Sequence, residues 1–464
     1  MSYSAALDSL HARVGELHAA PGAPRRKFRI EEMQTLVAAL GHPERRFRTI
    51  LVAGTNGKGS TCATLASILQ AAGIRTGLYT SPHLERVNER IRINGEPISD
   101  DDFARHYFRV DDCANELVTE GKLPAPPSFF ETLTALAFEA FAAAEVEIAV
   151  LEVGMGGRLD ATNVVDPLLS VITDISLDHT EWLGDTIPLI AREKAGILRR
   201  NGVLVTLPQH PEANQAVGEV AVALEVRGVN AAEYIPAFHP PAQENAAALR
   251  NQYALQVLGE AICVDSPLAG EHQRRNIALA IAAAVELRNQ YGYKITTEQI
   301  AEGIRNTRWP GRLELFTLPD KARVLLDVAH NPAGAWTLRA AVSALCPEPS
   351  SVRPVLVFGC MKDKAFDEMA QILFPLFDRV IATPVMSPRS ASAEELLQAA
   401  AKTGVRAVAA SDGHQALERA LAETPGTREK PGLVVVAGSV YLVGELRPWL
   451  MAHARGGTPG AERA

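Results

Sequence analysis

Cysteine is scarce in this chain of 464 residues: five are present, and no two form a C-x-x-C pair. A zinc cage or a redox dithiol is therefore not indicated, and sparse cysteine is typical of a reducing compartment. Basic side chains are also outnumbered, 46 against 54 acidic ones, which gives a formal net charge of −8. Because binding along a phosphate backbone needs a basic surface, nucleic acid is not an expected partner.

A hydrophobic run long enough to cross a membrane is missing as well. The most apolar stretch, residues 133–153, carries Glu139, Glu145, Glu147 and Glu152, and a span of about 20 residues would not tolerate these charges. The N-terminus lacks the basic start and apolar core of a secretory signal. We therefore expect a cytoplasmic protein that does not insert into a membrane.

Short apolar runs alternate with helical patterns in the first two thirds of the chain. Helical spacing is found at residues 62–72, where Gly73 is a candidate C-cap, and at 131–144. The apolar runs suit strands covered on both faces and predict strands at residues 49–53, 148–153, 169–175 and 202–207. Alternation of this kind predicts a mostly parallel sheet with helices on both sides.

The remaining parts of this region are less regular. Residues 1–47 have a helical pattern interrupted by a turn at Pro21–Pro24, and residues 273–287 and 296–306 are helical by spacing. Residues 208–270 contain several prolines and mixed periodicity, so we expect loops and some antiparallel strands there.

A second set of alternating elements begins after Trp309-Pro310-Gly311-Arg312, which we interpret as a hinge at 309–312. A helix is expected at 391–403 with Ser390 or Ser392 as N-cap. Strands are predicted at residues 324–328, 355–359, 380–383, 406–409 and 433–437. The prediction is thus an α/β protein: a phosphate-loop ATPase domain at 1–308, a smaller Rossmann-like domain at 313–453, and a disordered tail at 454–464.

The glycine-rich segment between the first strand and its helix is a candidate phosphate-binding loop. Glycines let successive backbone N–H groups face an anion, and the helix N-terminus adds a partial positive charge. Lys58 can reach the β- and γ-phosphates as a point charge. Gly59 separates Lys58 from Ser60, which points away from motor proteins and GTPases. The segment predicts ATP binding by Thr55, Asn56, Gly57, Lys58, Gly59 and Ser60.

Polar side chains also stand where three predicted strands end. Ser81 follows an apolar run, Glu152 ends the strand at 148–153, and Asp178 and His179 follow the strand at 169–175. Open α/β sheets gather such groups at the carboxyl ends of their strands. Phosphoryl transfer needs Mg²⁺, which prefers oxygen ligands, so this edge of the sheet is the expected magnesium site.

These segments together resemble the folylpolyglutamate synthase/dihydrofolate synthase family of the Mur ligase superfamily. The resemblance covers roughly residues 30 to 445. It is carried by the phosphate loop and by the following segments in order: Thr80-Ser81-Pro82-His83-Leu84, Phe129-Phe130-Glu131, residues 151–163 (LEVGMGGRLDATN), residues 178–184 (DHTEWLG), residues 192–197 (REKAGI), Pro310-Gly311-Arg312 and residues 327–332 (DVAHNP).

The resemblance implies a role for each matching residue. The ATP phosphates would be held by Thr55, Asn56, Gly57 and Lys58, and further ATP contacts would come from Asn276, Arg312 and Asp327. Magnesium would be bound by Ser81, Glu152 and His179. Lys194 would carry a carbamate that serves as a ligand of a second magnesium ion. Ser128, Phe129, Phe130, Glu131, Leu159, Asp160 and Ala161 would form the pterin site, and His330 and Ser439 would lie near the incoming glutamate. One departure is at Lys27-Phe28-Arg29-Ile30, where bacterial members often have an Asp-Leu-Gly-Leu segment.

The implied reaction is ATP-dependent amide formation between L-glutamate and a folate carboxylate. Phosphorylation turns the carboxylate into an acyl phosphate, and the glutamate amine then displaces phosphate. Lys58, magnesium and Arg312 would stabilise phosphoryl charge, and Asp160 or His330 would take the amine proton. We expect a monomer whose partners are dihydropteroate, folates and L-glutamate.

Other functions remain possible at this point. A folylpolyglutamate synthase without dihydropteroate activity would carry the same motifs. A cell-wall Mur ligase uses the same chemistry, but only 53 residues precede Gly54, which we expect to be too few for a UDP-binding domain. A nucleotide-gated regulator would turn over ATP without an acceptor. A dinucleotide oxidoreductase is disfavoured because no G-x-G-x-x-G follows either first strand.

Overall fold

The computed structural model describes residues 2–13, 29–237, 249–319, 321–346, 353–424 and 432–454. Within them the chain forms an eight-stranded sheet, a two-stranded hairpin and a six-stranded sheet. The predicted α/β fold with two sheets is confirmed. The turn at Pro21–Pro24, Lys27, Phe28 and the tail beyond Ala454 lie outside the described residues, so the predictions made for them stay predictions.

The first sheet is parallel through its centre and antiparallel at one edge. Its order is β4-β3-β2-β5-β1-β6-β7-β8, and only the pairs β2–β3 and β3–β4 are antiparallel. The strands are β1 Arg48–Ala53, β2 Thr76–Tyr79, β3 Ile91–Ile93, β4 Glu96–Pro97, β5 Ile148–Glu152, β6 Leu169–Ile172, β7 Val203–Thr206 and β8 Arg227–Asn230. Side chains of β1, β5 and β6 are buried on both faces, as expected for central parallel strands.

Helices cover both faces of this sheet and enclose two apolar cores. One core is built largely from α1, α2, α4, α5, α7 and α8, and the other from α3, α9 and α10. Their bounds are α1 Tyr3–His11, α2 Ile30–Ala39, α3 Lys58–Ala71, α4 Asp100–Thr119, α5 Phe129–Ala143, α6 Thr180–Leu183, α7 Ile187–Ala195, α8 Pro211–Ala223, α9 His272–Tyr291 and α10 Thr297–Arg305.

The region at 208–270 is more regular than its sequence suggests. The antiparallel strands expected there are present as the hairpin β9 Asn251–Val257 and β10 Glu260–Ser266. The helix α8 and the parallel strand β8 were not predicted. β8 is an edge strand with mostly exposed side chains, so it lacks the apolar run that marks a buried strand.

The second sheet has the order β11-β12-β16-β13-β14-β15 and is parallel except for β11–β12. All five predicted strands are present, and α13 begins after Ser392 as N-cap. The elements are β11 Glu314–Thr317, β12 Arg323–Leu326, β13 Val355–Phe358, β14 Arg379–Ala382, β15 Arg406–Ala409, β16 Leu433–Ala437, α11 Pro332–Leu345, α12 Phe366–Leu373, α13 Ala393–Ala401, α14 Gly413–Glu423 and α15 Val440–His453.

Among the described residues, no helix combines the length and the apolar character that crossing a bilayer requires.

Candidate active site

The phosphate loop joins β1 to α3 and requires glycine at two positions. Gly54 has φ +152° and Gly57 has φ +87°, which side chains rarely adopt. A Cβ on Gly57 would lie 2.2 Å from Asn276 Oδ1, and one on Gly54 would lie 1.8 Å from Thr173 Oγ1. The loop therefore fits closely between α9 and the end of β6. Lys58 Nζ turns back over it and donates to the carbonyls of Gly54 and Thr55, each at 3.1 Å.

Side chains at both ends of the loop hold it in place. Thr55 Oγ1 donates to the Ser176 carbonyl at 3.0 Å. On α9, Gln273 Nε2 donates to Ser60 Oγ at 3.2 Å, and Asn276 Nδ2 donates to Gln273 Oε1 at 2.8 Å. Asn276, predicted to contact ATP, is thus beside the loop although more than 200 residues separate them in sequence.

The three predicted magnesium ligands line the same cavity as the phosphate loop, a space of about 590 Å³ between the two sheets. The Ser81 N–H donates to Glu152 Oε2 at 3.0 Å. Burial raises the pKa of the Glu152 carboxyl, although Lys58 opposes the shift. His179 has φ +51°, and burial lowers its pKa to about 4 while Asp178 acts in the opposite direction.

The donor set fits magnesium. Within the described ranges, no cluster of three or more His, Cys, Asp or Glu side chains suited to a metal occurs. Mg²⁺, however, usually binds one or two protein carboxylates and takes its other ligands from phosphate and water. Glu152 is 4% exposed, and a buried carboxylate with a raised pKa is one that a bound cation stabilises. Glu152 and Ser81 can therefore hold such an ion beside the nucleotide.

Lys194 is buried against the phosphate loop. Its Nζ donates to the Gly54 carbonyl at 2.8 Å. Burial, with Lys58 nearby, lowers the pKa of Lys194 to about 7. A substantial fraction of this amine is therefore neutral near neutral pH, which is the form that reacts with carbon dioxide.

Side chains of the second sheet complete the cavity from the opposite side. Asp327 directly follows β12 and accepts hydrogen bonds from the N–H groups of Leu313 and Ala329. Arg312 is partly buried, and this burial lowers its pKa although Asp327 opposes the shift. His330 Nδ1 donates to the Val328 carbonyl at 2.9 Å, and burial lowers its pKa to about 4. This leaves Nε2 of a neutral imidazole free to accept a proton.

Ser439 lies at the start of α15. Its hydroxyl accepts a hydrogen bond from the Tyr441 N–H at 3.1 Å, so it caps the helix while lining the cavity.

A polar network that the sequence did not predict links the two sides of the cavity. Lys364 Nζ lies 2.7 Å from Asp178 Oδ1, and Asn331 Nδ2 donates to Asn56 Oδ1 at 3.0 Å and to Asp178 Oδ2 at 3.3 Å. Burial alone would raise the pKa of Asp178, but Lys364 lowers it overall. Asn331 belongs to the segment at residues 327–332 (DVAHNP), so the sequence could have identified it as a site residue. Lys364 lies in no such motif, so the sequence gives no comparable signal for it.

A smaller cavity of about 110 Å³ adjoins the first and contains most of the predicted pterin residues. Arg29, Ile30 and Trp182 also line it. The N-terminal segment that differs from the usual bacterial sequence therefore contributes Arg29 and Ile30 to this pocket. Its predicted members are Phe130, Glu131, Leu159, Asp160 and Ala161.

Ser128 and Phe129 are not among the residues lining either cavity. Ser128 forms a capping box with Glu131 at the start of α5. Phe129 stacks on His11 at a centroid distance of 6.2 Å, and Arg90 lies 5.2 Å above its ring. Their roles in substrate binding therefore stay predictions, and the geometry favours a structural role for both.

Comparison with known proteins agrees with this geometry. Residues 103–284 match the Mur ligase middle domain, and residues 311–440 match the Mur ligase glutamate ligase domain. The Bacillus subtilis dihydrofolate synthase/folylpolyglutamate synthase is 34% identical over 419 residues, covering 89% of this chain and 93% of that protein. The chain belongs to the dihydrofolate synthase/folylpolyglutamate synthase family of Mur ligases.

Two other similarities place the chain within this family. A probable bifunctional folylpolyglutamate synthase/dihydropteroate synthase of Halobacterium salinarum is 36% identical over 90% of this chain, which spans only 49% of that longer protein. The crystal structure of Mycobacterium tuberculosis folylpolyglutamate synthase complexed with ADP and AMPPCP is similar with a TM-score of 0.82 and 32% identity, covering 92% of this chain and 96% of that one.

Proposed function

We propose that the chain is an ATP- and magnesium-dependent ligase that adds L-glutamate to dihydropteroate and to the γ-carboxylate of tetrahydrofolate. One observation carries the proposal: the phosphate loop and His330, which lies between β12 and α11, line one cavity, and this cavity adjoins a smaller pocket lined by Phe130 and Trp182. Nucleotide, amine and flat heterocycle can therefore meet where the two sheets face each other.

The two sheets support the proposal of two domains, 1–308 and 313–453, joined by a hinge at 309–312. Arg312 and Asp327 come from the hinge and the second sheet, whereas Lys58 and Asn276 come from the first part of the chain. A nucleotide that contacts both sides would draw the domains together and exclude water from the acyl phosphate.

The protein groups can divide the reaction between them. Lys58 and Arg312 offer positive charge to the transferring phosphoryl group. Magnesium, held by Ser81, Glu152 and His179 with a second ion near a carbamylated Lys194, would neutralise phosphate charge. The acyl phosphate gives the folate carboxylate a leaving group, and the glutamate amine forms the amide as phosphate leaves.

Of the two candidate bases for the amine proton, the geometry favours His330. The carboxylate of Asp160 already accepts hydrogen bonds from the Met155 N–H at 3.0 Å, the Thr162 N–H at 3.0 Å and Thr162 Oγ1 at 2.6 Å. This carboxylate therefore holds a loop of the pterin pocket. His330, in contrast, has a neutral ring with one nitrogen available.

Small molecules are the proposed partners, consistent with a net charge of −8 and with the two adjoining cavities. We also propose that the protein acts in the cytoplasm as a monomer and that it does not bind nucleic acid.

The proposal is tested by measuring ADP release with ATP alone, with glutamate, and with glutamate plus dihydropteroate. We expect substantial ADP release only in the mixture that contains dihydropteroate, because phosphorylation needs an acceptor carboxylate. Equal release in all three mixtures would instead favour a nucleotide-gated regulator.

A further inference from the structure

The segment Ser81–Arg86, which we call the docking arm, leaves the end of β2 and contacts the second sheet's helices. Leu84 packs against the apolar core of the second sheet, although it belongs to the first part of the chain. A Cβ on Gly444 of α15 would lie 1.9 Å from the Leu84 carbonyl oxygen, and one on hinge residue Gly311 would lie 3.4 Å from Leu84 Cδ2. The arm is therefore seated closely against both α15 and the hinge.

An ion pair fixes the same contact. Arg447 of α15 lies 2.6 Å from Glu85 of the docking arm and 2.9 Å from Glu314 of β11. Glu314 in turn accepts a hydrogen bond from the Gly311 N–H at 2.8 Å. The three charged side chains are about one fifth to one quarter exposed, so solvent screens them less than it screens surface pairs.

Hydrogen bonds hold the docking arm at both of its ends. The carboxylate of Glu89 accepts hydrogen bonds from the N–H groups of Leu84, Glu85 and Arg86 at 2.9, 3.1 and 2.8 Å. At its other end, the Ser81 N–H is bound to Glu152. The contact with α15 is thus three residues from one predicted magnesium ligand and is joined through it to another.

We propose that Leu84 and Arg447 are positioning residues that place Ser81 beside Glu152 according to the position of the second domain. This inference rests on the proposed function, because it assumes that Ser81 and Glu152 serve a nucleotide-bound ion. When the second domain moves about the hinge, α15 carries the docking arm with it. Metal binding is then favoured only in the arrangement in which the second domain's groups face the phosphate loop.

The test compares Glu85→Gln, Arg447→Ala and Leu84→Ala with the control Arg419→Ala. Glu85→Gln weakens only the contact between the domains and leaves Arg447 paired with Glu314. Arg419 pairs with Glu423 at 2.9 Å within α14, so its loss removes an arginine ion pair from the second domain without touching the docking arm.

Two measurements need no folate. Amide hydrogen exchange of residues 81–90 reports the order of the docking arm, and titration of ADP binding against Mg²⁺ reports the ion requirement. For the three variants we expect faster exchange and about fivefold or more Mg²⁺ at half-maximal ADP binding. The effects of Glu85→Gln and Arg447→Ala should not be additive, because both substitutions act on the Arg447–Glu85 ion pair.

The inference would be overturned if Glu85→Gln and Leu84→Ala showed the wild-type rate of amide exchange at residues 81–90 and the wild-type Mg²⁺ requirement. It would also be overturned if Arg419→Ala changed both quantities as much as these variants do. A wild-type chain that glutamylates no folate, while the two measurements respond as expected, would overturn the proposed ligase function and leave the positioning role supported.

Discussion

At the scale of single residues, burial determines much of the site's chemistry. Lys194 illustrates this, since its sequence context is that of an ordinary helical lysine. Sequence resemblance alone suggested its carbamate, whereas the structure provides a physical basis: the residue is 3% exposed and its pKa is lowered to about 7. No local pattern encodes this, because burial depends on how α7 packs against the phosphate loop.

We predict that Lys194 forms a carbamate with ¹³C-labelled bicarbonate. The reaction joins the neutral amine to carbon dioxide and releases a proton, so the NMR signal should grow as pH rises through about 7, where the pKa of Lys194 lies. Lys194→Ala should abolish the signal and lower ligase turnover by about tenfold or more. The exposed Lys294→Ala is the control; a signal that persists in Lys194→Ala would contradict the prediction.

His272 gives a prediction about pH and stability. Burial, with Arg312 nearby, lowers its pKa from 6.5 to about 4. Between these values the unfolded chain binds a proton that the folded chain does not, so the free energy of unfolding falls as pH drops from 6.5 to 4.

We expect the free energy of unfolding of His272→Gln to fall less between pH 6.5 and pH 4 than that of the wild-type chain. The difference at pH 4 should be up to about 3 kcal/mol, because each unit of pKa shift corresponds to about 1.36 kcal/mol. Little difference is expected at pH 7. Urea unfolding of the ligand-free chain at several pH values measures it, with the exposed His453→Gln as control. An unchanged pH slope in His272→Gln would show that the ring is not held neutral.

At the scale of elements, the sequence predicted best what is buried on both sides. Central strands such as β1 and β16 have every or nearly every side chain buried, so they appear as uninterrupted apolar runs. The edge strands β8 and β11 were missed, because β8 is mostly exposed and β11 is half-buried. The phosphate loop was predicted because its chemistry is local. The network of Lys364 with Asp178 was not, because tertiary packing brings those residues together.

The phosphate loop supplies a test at this scale. Gly57→Ala introduces a Cβ at positive φ and 2.2 Å from Asn276 Oδ1, so the loop must shift. We expect ATP binding to weaken by about tenfold or more, equivalent to about 1.4 kcal/mol, as measured by calorimetry.

Gly218→Ala is the matched control for this substitution. Gly218 lies within α8 with no atom within 4 Å of an added Cβ. Alanine there should leave ATP binding unchanged and stabilise the helix by up to about 1 kcal/mol. Equal ATP affinity in Gly57→Ala and the wild-type chain would show that the loop does not bind phosphate.

At the scale of the whole molecule, function depends on groups from two sheets meeting in one cavity. Arg312 is the last residue of the proposed hinge and lines that cavity, where it is partly buried. We predict that Arg312→Ala lowers turnover by about 100-fold with near-native circular dichroism, while the exposed Arg308→Ala retains activity. Wild-type glutamate addition by Arg312→Ala would refute this role.

The ligase function is tested most directly by following labelled L-glutamate into product, with dihydropteroate and tetrahydrofolate as separate acceptors. We expect ATP-dependent incorporation into both acceptors, with one ADP released per glutamate. Incorporation into tetrahydrofolate alone would restrict the chain to folylpolyglutamate synthesis. Incorporation into neither acceptor, in the presence of ATP and magnesium, would contradict the proposed glutamate ligase activity.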